Sequence, residues 1–529
     1  MTMNTLQKSY DTIPYPSISF PETHPARLSA IARIFGLQSP PADGARILEL
    51  GCSMGGNLVA ISQIHPGAQC VGLDFSSHQV AEGWKTIHAL GIKNVQLRHM
   101  DILDVDDSLG QFDYIISHGV YSWVPPRVQA KMLEIVQRHL APGGVAYISY
   151  NVYPGWHIRG IVRDMMFYRG AQFADANTRL EQAKSLVAFA AQSTSKSDTP
   201  YQRLLQAELK QLDKMTDYYL HHEYLEEHNQ PMYFHEFAQR LAVNGLQYLG
   251  DAEFSTMIST NFSADTARTL NELGAHDIVR MEQYMDFVRC RYFRKTLICH
   301  NGIRLNRAID SGVVRQFWLA SAATPVEAPE LDPAVRVTYQ TPGGSRIVCK
   351  APFTKLAMRV LQREWPVPVT YQDLLRKCRE EAALEKVPAD EPVDEFLASE
   401  MLTAIGAGVV EMRVAPLPLT RVAPVRPVTS PLARWQAIQG YQATNLRGEA
   451  INLDEIHRQT LKLLDGSRDA PQILDSMMAA VTSKEFLLKA DAGGAPVTDE
   501  KAVRELLGSA LEKVLVNLGA QAFLRAQDA

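Results

Sequence analysis

The sequence predicts an α/β fold whose mostly parallel sheet carries a cofactor at one edge, and three stretches predict it. Arg46 to Asn57 reads R-I-L-E-L-G-C-S-M-G-G-N: a short apolar strand that meets an acid, a small-residue turn from Gly51 to Gly56, and the start of a helix that runs to Ile64. A-Q-C-V-G-L-D, ending at Asp74, and N-V-Q-L-R-H-M-D-I, ending at Asp101 and Ile102, repeat the pairing of an apolar strand with a terminal acid. Sheets of this kind bind ligands outside the carboxyl ends of their strands, so the three acids are expected along one edge.

The glycine turn admits three chemistries. A dinucleotide site needs G-x-G-x-x-G, and that frame falls on Gly51, Ser53 and Gly56, with a serine where bare backbone should approach most closely. The same residues spell G-x-S-x-G, with Ser53 as a hydrolase nucleophile. That elbow normally follows several strands and needs later Asp and His partners, whereas Ser53 follows the first strand. The third frame is an acid with glycine at plus two and plus six: Glu49, Gly51, Gly55. It resembles motif I of class I S-adenosylmethionine-dependent methyltransferases, with Ser53 where many members carry another glycine.

Before the sheet, residues 1 to 43 are rich in proline, and S-Y-D-T-I-P-Y-P-S-I-S-F-P-E-T-H-P is unsuited to a regular helix. The segment is expected either as a lid, with Tyr10 or Tyr15 walling the cofactor, or as a strap on the surface. H-P-A-R-L-S-A-I-A-R-I-F-G-L then repeats apolar residues at helical spacing and stops at Gly36. After the third strand, F-D-Y-I-I-S-H-G-V gives a fourth from Phe112, and L-A-P-G-G-V-A-Y-I-S-Y a Pro-Gly-Gly turn and a fifth. L-Q-Y-L-G-D-A-E-F and R-Y-F-R-K-T-L-I-C-H read as two more strands, an antiparallel pair completing a seven-stranded sheet.

Y-D-T-I-P-Y, F-P-E-T-H-P-A-R-L, E-L-G-C-S-M-G-G-N, I-S-H-G-V-Y-S-W-V-P and A-Y-I-S-Y-N-V-Y-P-G-W together resemble the bacterial methyltransferases that carry a methyltransferase regulatory domain. The characterised members they are most similar to are the rickettsial protein-lysine methyltransferases of outer-membrane protein B. The resemblance implies a class I, Rossmann-like domain with S-adenosyl-L-methionine as its cofactor. The expected binding set is Glu49, Gly51, Cys52, Gly55, Asn57, Asp74, Phe75, Asp101, Ile102 and His118. Within it, Asp74 can accept both ribose hydroxyls, Asp101 can accept from the adenine amino group, and Ile102 can cover a ring face.

The first domain is expected over 44–306, with helical inserts at 157–230 and 256–288 forming a middle module. Stretches 320–345 and 414–432, rich in proline, glycine and small residues, read as linkers. They bound two segments, 331–415 and 433–529, that repeat a Leu-rich helix, a turn, a second helix, and a third helix running into an apolar segment. This mainly α-helical region is expected as a pair of winged-helix-like modules. Neither shows a basic recognition helix, which favours protein over DNA contact.

Composition narrows the rest. The 529 residues carry a net charge of −5, which opposes phosphate-driven nucleic-acid binding. Six scattered cysteines form no C-x-x-C and no zinc spacing, the N-terminus lacks the apolar core of a signal peptide, and no apolar run is long enough for a membrane span. These features predict free thiols in a cytoplasmic protein without a metal or membrane insertion.

Methyl transfer demands alignment and a neutral amine, helped by a dry, ring-lined channel. The loop after the fourth strand offers His118, Tyr121 and Trp123, and the exit of the fifth offers Asn151, Tyr153 and Trp156. Tyr121, His118 and Asn151 are the expected catalytic residues; Trp123, Tyr153, Trp156 and Tyr10 are expected to contact substrate. Trp123, an aromatic after a strand, is more often core than cage, whereas His118 can equally be a hydrogen-bonded structural residue and Asn151 a helix cap. His221, His222, Glu223 and His228 do not match H-E-x-x-H and read as polar helix surface. The expected reaction is methylation of nitrogen, most readily a protein lysine. A small-molecule methyltransferase with an oligomerising C-terminal region and a non-catalytic cofactor sensor are the alternatives.

Overall fold

The computed structural model describes residues 17–387, 392–488, 497 and 499–526. At its centre is a seven-stranded sheet built from β1 (Arg46–Leu50), β2 (Gln69–Asp74), β3 (Val95–His99), β4 (Phe112–Ser117), β5 (Leu140–Asn151), β6 (Leu246–Asp251) and β7 (Phe293–His300). Their order is β3-β2-β1-β4-β5-β7-β6, with β7 antiparallel to both neighbours. Alternation along each strand loads the two faces: Ile47 joins one apolar cluster, while Leu48 and Leu50 join the other. Because the order reverses beside β1, the chain leaves β1 and β4 toward opposite faces of the sheet, to the helix Gly56–Ile64 in one apolar cluster and to the helix Pro126–His139 in the other, and a crevice opens at the carboxyl edge.

Four helices cover this half of the sheet: α1 (Pro25–Ile34), α2 (Gly56–Ile64), α3 (Ser77–Ala89) and α4 (Pro126–His139). The Pro-Gly-Gly expected as a turn lies in an irregularity of β5, where Phe112 pairs with Leu140 and Tyr114 with Val145, so Ala141 to Gly144 bulge past Asp113. Between β5 and β6 come α5 (Gly155–Gly170), α6 (Ala176–Ser193), α7 (Pro200–Leu212) and α8 (Asp217–Tyr224), packed on a core of their own around Val162, Leu180, Val187 and Leu205, and then α9 (Phe234–Val243) against the sheet. Between β6 and β7 come α10 (Ala264–Gly274) and α11 (Ile278–Arg289). Buried Arg294 of β7 ties α11 to the sheet through Asp286, at 2.7 Å, and Glu282, at 2.8 Å.

The two stretches expected as linkers are structured. Residues 318–349 hold β8 (Trp318–Ala320), β9 (Thr324–Pro325), β10 (Val337–Gln340) and β11 (Arg346–Cys349), with Ala323, Val337 and Tyr339 buried. Proline and glycine mark turns and an edge strand there, since Pro325 lies in β9, at the edge of the β11-β10-β9 sheet. In 414–432, Val414 donates its backbone N–H to Ala26, Leu417 and Leu419 are buried, and Val428 bridges Asp465.

After β11 come α12 (Pro352–Glu364), β12 (Val369–Thr370), α13 (Tyr371–Leu384), α14 (Val393–Gly406) and β13 (Glu411–Arg413); β12 and β13 flank β8. The last unit holds α15 (Pro431–Gln439), β14 (Gln442–Thr444), β15 (Ala450–Asn452), α16 (Glu455–Leu463), α17 (Ala470–Thr482) and α18 (Glu500–Ala520). Its helices repeat the plan of α12 to α14, with Val428 in the place of β8: Val428 bridges Asp465 after α16 and accepts the Arg525 N–H after α18. Among the described residues no helix is long and apolar enough to cross a membrane.

Candidate active site

At the carboxyl edge of the sheet lies a cavity of about 660 Å³. Its floor is the turn between β1 and α2. Gly51 has φ +74, and a Cβ there would stand 2.4 Å from Val120 Cγ2, so only glycine allows the loops after β1 and β4 to meet this closely. Gly55 caps α2 with φ +74 and packs on Leu97; it does not line the cavity.

The three strand-end acids all line the cavity, in different states. Glu49 is buried, accepts from Asn57 Nδ2 at 3.0 Å, and is pushed by burial up to about 8, against the Asn57 hydrogen bond and with help from Asp74. Asp74 accepts backbone N–H groups from Ser53 at 2.7 Å and Ser76 at 2.9 Å, which partly offset the rise that burial causes. Each of its oxygens retains a lone pair. Asp101 accepts the Leu103 N–H at 2.9 Å, which holds Ile102 at the cavity wall.

Phe75, Cys52 and Asn57 complete this side. Burial, with Asp74 and Glu49 nearby, drives the Cys52 thiol far above its ordinary value, so it is no nucleophile. Ser53 has φ +52 and a buried hydroxyl with no partner among the described residues, which leaves it without the base that an elbow requires.

The strap closes over the floor. Ser17, Ile18, Phe20 and Glu22 line the cavity, and a Cβ on Gly56 would stand 2.7 Å from the Ser17 carbonyl carbon. Tyr10 and Tyr15 lie outside the described residues. The Phe20 ring stacks on His118 at 3.9 Å, while His118 Nδ1 lies 2.8 Å from the Tyr147 hydroxyl. Burial lowers His118 to about 4 despite Glu22, so the ring is neutral at pH 7. Burial works to raise the Glu22 carboxyl, but Lys295, 3.0 Å away, and His118 hold it below its ordinary value.

The opposite wall comes from the later strands and the inserts. Trp123 and Asn151 line it; Asn151 donates from Nδ2 to Asn229 Oδ1 at 3.0 Å. Trp156 is buried edge-on behind Trp123 at 6.1 Å and does not reach the cavity. Tyr153 lies outside it, stacked on His157 at 4.0 Å. Tyr121, expected to meet the acceptor amine, is wholly buried between Tyr150 and Phe237 with its hydroxyl 3.5 Å from Arg240 Nη1. The short helical turn over Tyr121–Trp123 directs Tyr121 into the core below the sheet edge and leaves Trp123 at the wall.

The expectation of a polar surface at 221–228 is corrected. Helix α8 brings Tyr218, Tyr219, His222 and Glu223 to the cavity, joined by His228, Tyr292 and Phe293, because its Leu220 and Tyr224 pack into the insert core. His222 Nδ1 lies 3.0 Å from Glu226 Oε1 and Arg159 Nη1 3.0 Å from Glu223 Oε1. Among the described residues, no three His, Cys, Asp or Glu side chains gather to hold a metal. The crowded aromatics, histidines and acids of D-Y-Y-L-H-H-E-Y were the available signal.

A site with acids at the ends of successive parallel strands, glycine backbone between them, and two buried atoms without partners among the described residues, Glu49 Oε2 and Ser53 Oγ, fits a nucleoside that also carries hydrogen-bonding groups. Comparison with known proteins identifies it. Residues 47–144 match the family model of a methyltransferase domain, 216–300 that of a predicted methyltransferase regulatory domain, and 426–523 that of the PKMT C-terminal winged helix domain. An uncharacterised protein of Rickettsia prowazekii, RP789, is 33% identical over 97% of this chain and 93% of its own. The solved structure of PKMT2 from Rickettsia typhi in complex with AdoHcy covers 97% of this chain and all of that one, at 31% identity and a TM-score of 0.85. The chain belongs to the S-adenosylmethionine-dependent methyltransferases of the PKMT type. Trans-aconitate 2-methyltransferase of Deinococcus radiodurans is 32% identical over 23% of this chain and 43% of its own.

The methyltransferase binds S-adenosylmethionine, which supplies an electrophilic methyl group on a sulfonium. Its regulatory-domain match spans α8, β6 and β7, so that region builds two sheet strands and one wall of the site.

Proposed function

We propose that the methyltransferase transfers its methyl group to nitrogen, on a lysine side chain of a protein substrate. The observation that carries this reading is the ring-lined mouth. Trp123, Tyr218, Tyr219, Tyr292 and Phe293 line the cavity, and Tyr219 and Tyr292 remain 39% and 49% exposed at its rim. A long side chain can enter from solvent along such rings, which favour an ammonium or methylammonium by cation–π attraction and exclude water around the reacting nitrogen.

The sheet order supports a division of labour. Glu49 and Asp74 lie at the carboxyl ends of β1 and β2 and Asp101 just beyond β3, where we assign the adenosine and amino-acid ends of the cofactor, with Phe75 and Ile102 as apolar walls and the His118 ring beside them. Asn151 and Phe293, on β5 and β7, belong to the acceptor side; the Asn151 amide oxygen is available to orient an N–H. The similarity to PKMT2 supports a protein acceptor, with the C-terminal modules presenting it.

Incubating the full chain with radiolabelled donor and a bacterial protein extract tests this. Label recovered as methyllysine from protein bands is the expected result; label confined to small metabolites refutes the protein reading.

A further inference from the structure

Four carboxylates near the cavity have other duties. Glu49 and Asp74 are engaged by Asn57 and by backbone N–H groups on the cofactor side, Asp101 caps a turn, and Glu22 is paired with Lys295. Glu223 differs. It lines the cavity from α8, beside the two most exposed rings of the mouth, and only its Oε1 meets the guanidinium of Arg159. That guanidinium lies 4.1 Å from the ring centroid of Tyr292, so one arginine fixes both the carboxylate and the rim. The Glu223 side chain is 13% exposed.

Resting on the lysine reading above, we infer that Glu223 receives the acceptor ammonium at the cavity mouth and takes its proton before transfer. The ammonium N–H bond breaks as the carboxylate O–H bond forms, which leaves a neutral amine. The freed nitrogen lone pair forms the N–C bond while the methyl's S–C bond breaks, giving a methylammonium and a thioether. The carboxyl then returns its proton to water through the open mouth.

The neighbours of Glu223 suit the task. Burial raises it to about 7, against Arg159 and Arg163 of α5 and the Tyr219 hydroxyl of its own helix. Glu208 of α7 and Tyr292 before β7 also act on this group through Arg159. A carboxyl balanced near neutrality can both accept and release a proton within one turnover. Two of the cavity histidines are committed elsewhere, His222 beside Glu226 and His118 stacked under Phe20, and His228 lies beyond the end of α8, whereas Glu223 sits on α8 next to Tyr219.

Calorimetric titration of n-butylammonium into the full chain loaded with AdoHcy tests the inference, with wild type, Glu223→Gln and Glu223→Asp compared at pH 8. The Gln variant can keep the Arg159 hydrogen bond through its amide oxygen, and its melting temperature and AdoHcy affinity serve as the control for folding. The expected result is a loss of amine affinity of about tenfold or more in Glu223→Gln, with partial recovery in Glu223→Asp. The acidic limb of kcat/KM near pH 7 should also disappear in Glu223→Gln. Equal amine binding by wild type and Glu223→Gln overturns the role of Glu223 while leaving the lysine reading intact. Wild type that binds no amine and labels no protein overturns both.

Discussion

Asn57 Nδ2 lies 3.0 Å from Glu49 Oε1, and its Oδ1 accepts the Phe20 N–H at 3.0 Å. A single buried amide in the first turn of α2 therefore joins the acid of β1 to the strap across the cavity, with Thr23 Oγ1 as a further partner at 3.0 Å. The cofactor floor and its cover are thus hydrogen-bonded through one side chain.

Asn57→Ala should loosen both. It leaves the Glu49 carboxyl buried without its donor and the strap without its anchor, a cost of about 1–3 kcal/mol. Thermal unfolding should show a lower midpoint, and AdoHcy titration a weaker complex. An unchanged midpoint would refute the coupling.

Gly56→Ala should act on the strap alone. Its Cβ would press on Ser17, whereas Gly56 itself has no need for positive φ. Limited proteolysis should cut the segment around Ser17 faster than in wild type, with AdoHcy slowing the cut in both proteins. Gly51→Ala, strained at φ +74 and blocked by Val120, should lose AdoHcy binding outright.

Asp74→Asn tests the adenosine assignment. The amide can replace one acceptor only, so one of the N–H groups of Ser53 and Ser76 loses its partner and a charged acceptor is lost to the ribose. AdoHcy affinity should fall by roughly 10- to 100-fold by calorimetry, since a hydrogen bond to a charged group contributes about 1.5–3 kcal/mol.

The cofactor half was legible because its signals are local. Strand, glycine turn and terminal acid adjoin one another in sequence, so spacing alone brings Glu49, Asp74 and Asp101 to one edge. The acceptor half was not, because it depends on where an insert docks. Nothing near Tyr219 or Glu223 specifies that α8 turns toward β7; that follows from Leu220 and Tyr224 packing among Leu180, Leu205 and Leu212. Tyr121 was misplaced for a related reason. Its position after β4 suggests the site, but the partners that bury it, Phe237 and Arg240, come from α9, more than a hundred residues later. In the C-terminal half, proline and glycine concealed short strands as linkers, because strands of two to four residues carry too little periodicity to read.

The unliganded protein should lose stability as pH rises between about 4.5 and 8 through Glu49. Its folded carboxyl holds a proton up to about 8, whereas the unfolded one releases it near its ordinary value of 4.5. The folded state therefore binds more protons in that window, and raising the pH favours unfolding. His118 and His65, each lowered to about 4 chiefly by burial, contribute the opposite slope, between about 4 and 6.5. Subtracting the Glu49→Gln unfolding curve from that of wild type isolates the carboxyl. A difference that does not change between pH 5 and 8 would refute its protonation in the fold.

Tyr121→Phe should leave methyl transfer within about twofold of wild type, because among the described residues the hydroxyl reaches only Arg240, at 3.5 Å, and a contact that long is weak. The ring itself is core, so Tyr121→Ala should destabilise by about 3–5 kcal/mol, as large aromatic truncations do. Trp123→Phe is the matching change at the cavity wall: the ring there is 8% exposed and lies on the wall we propose for the acceptor, so KM for the proposed protein acceptor should rise while the melting temperature changes little. Should Tyr121→Phe abolish turnover with AdoHcy affinity intact, the hydroxyl would have to reach the acceptor in a conformation that moves α9 away from β5, and hydrogen exchange across Phe234–Val243 would register that opening.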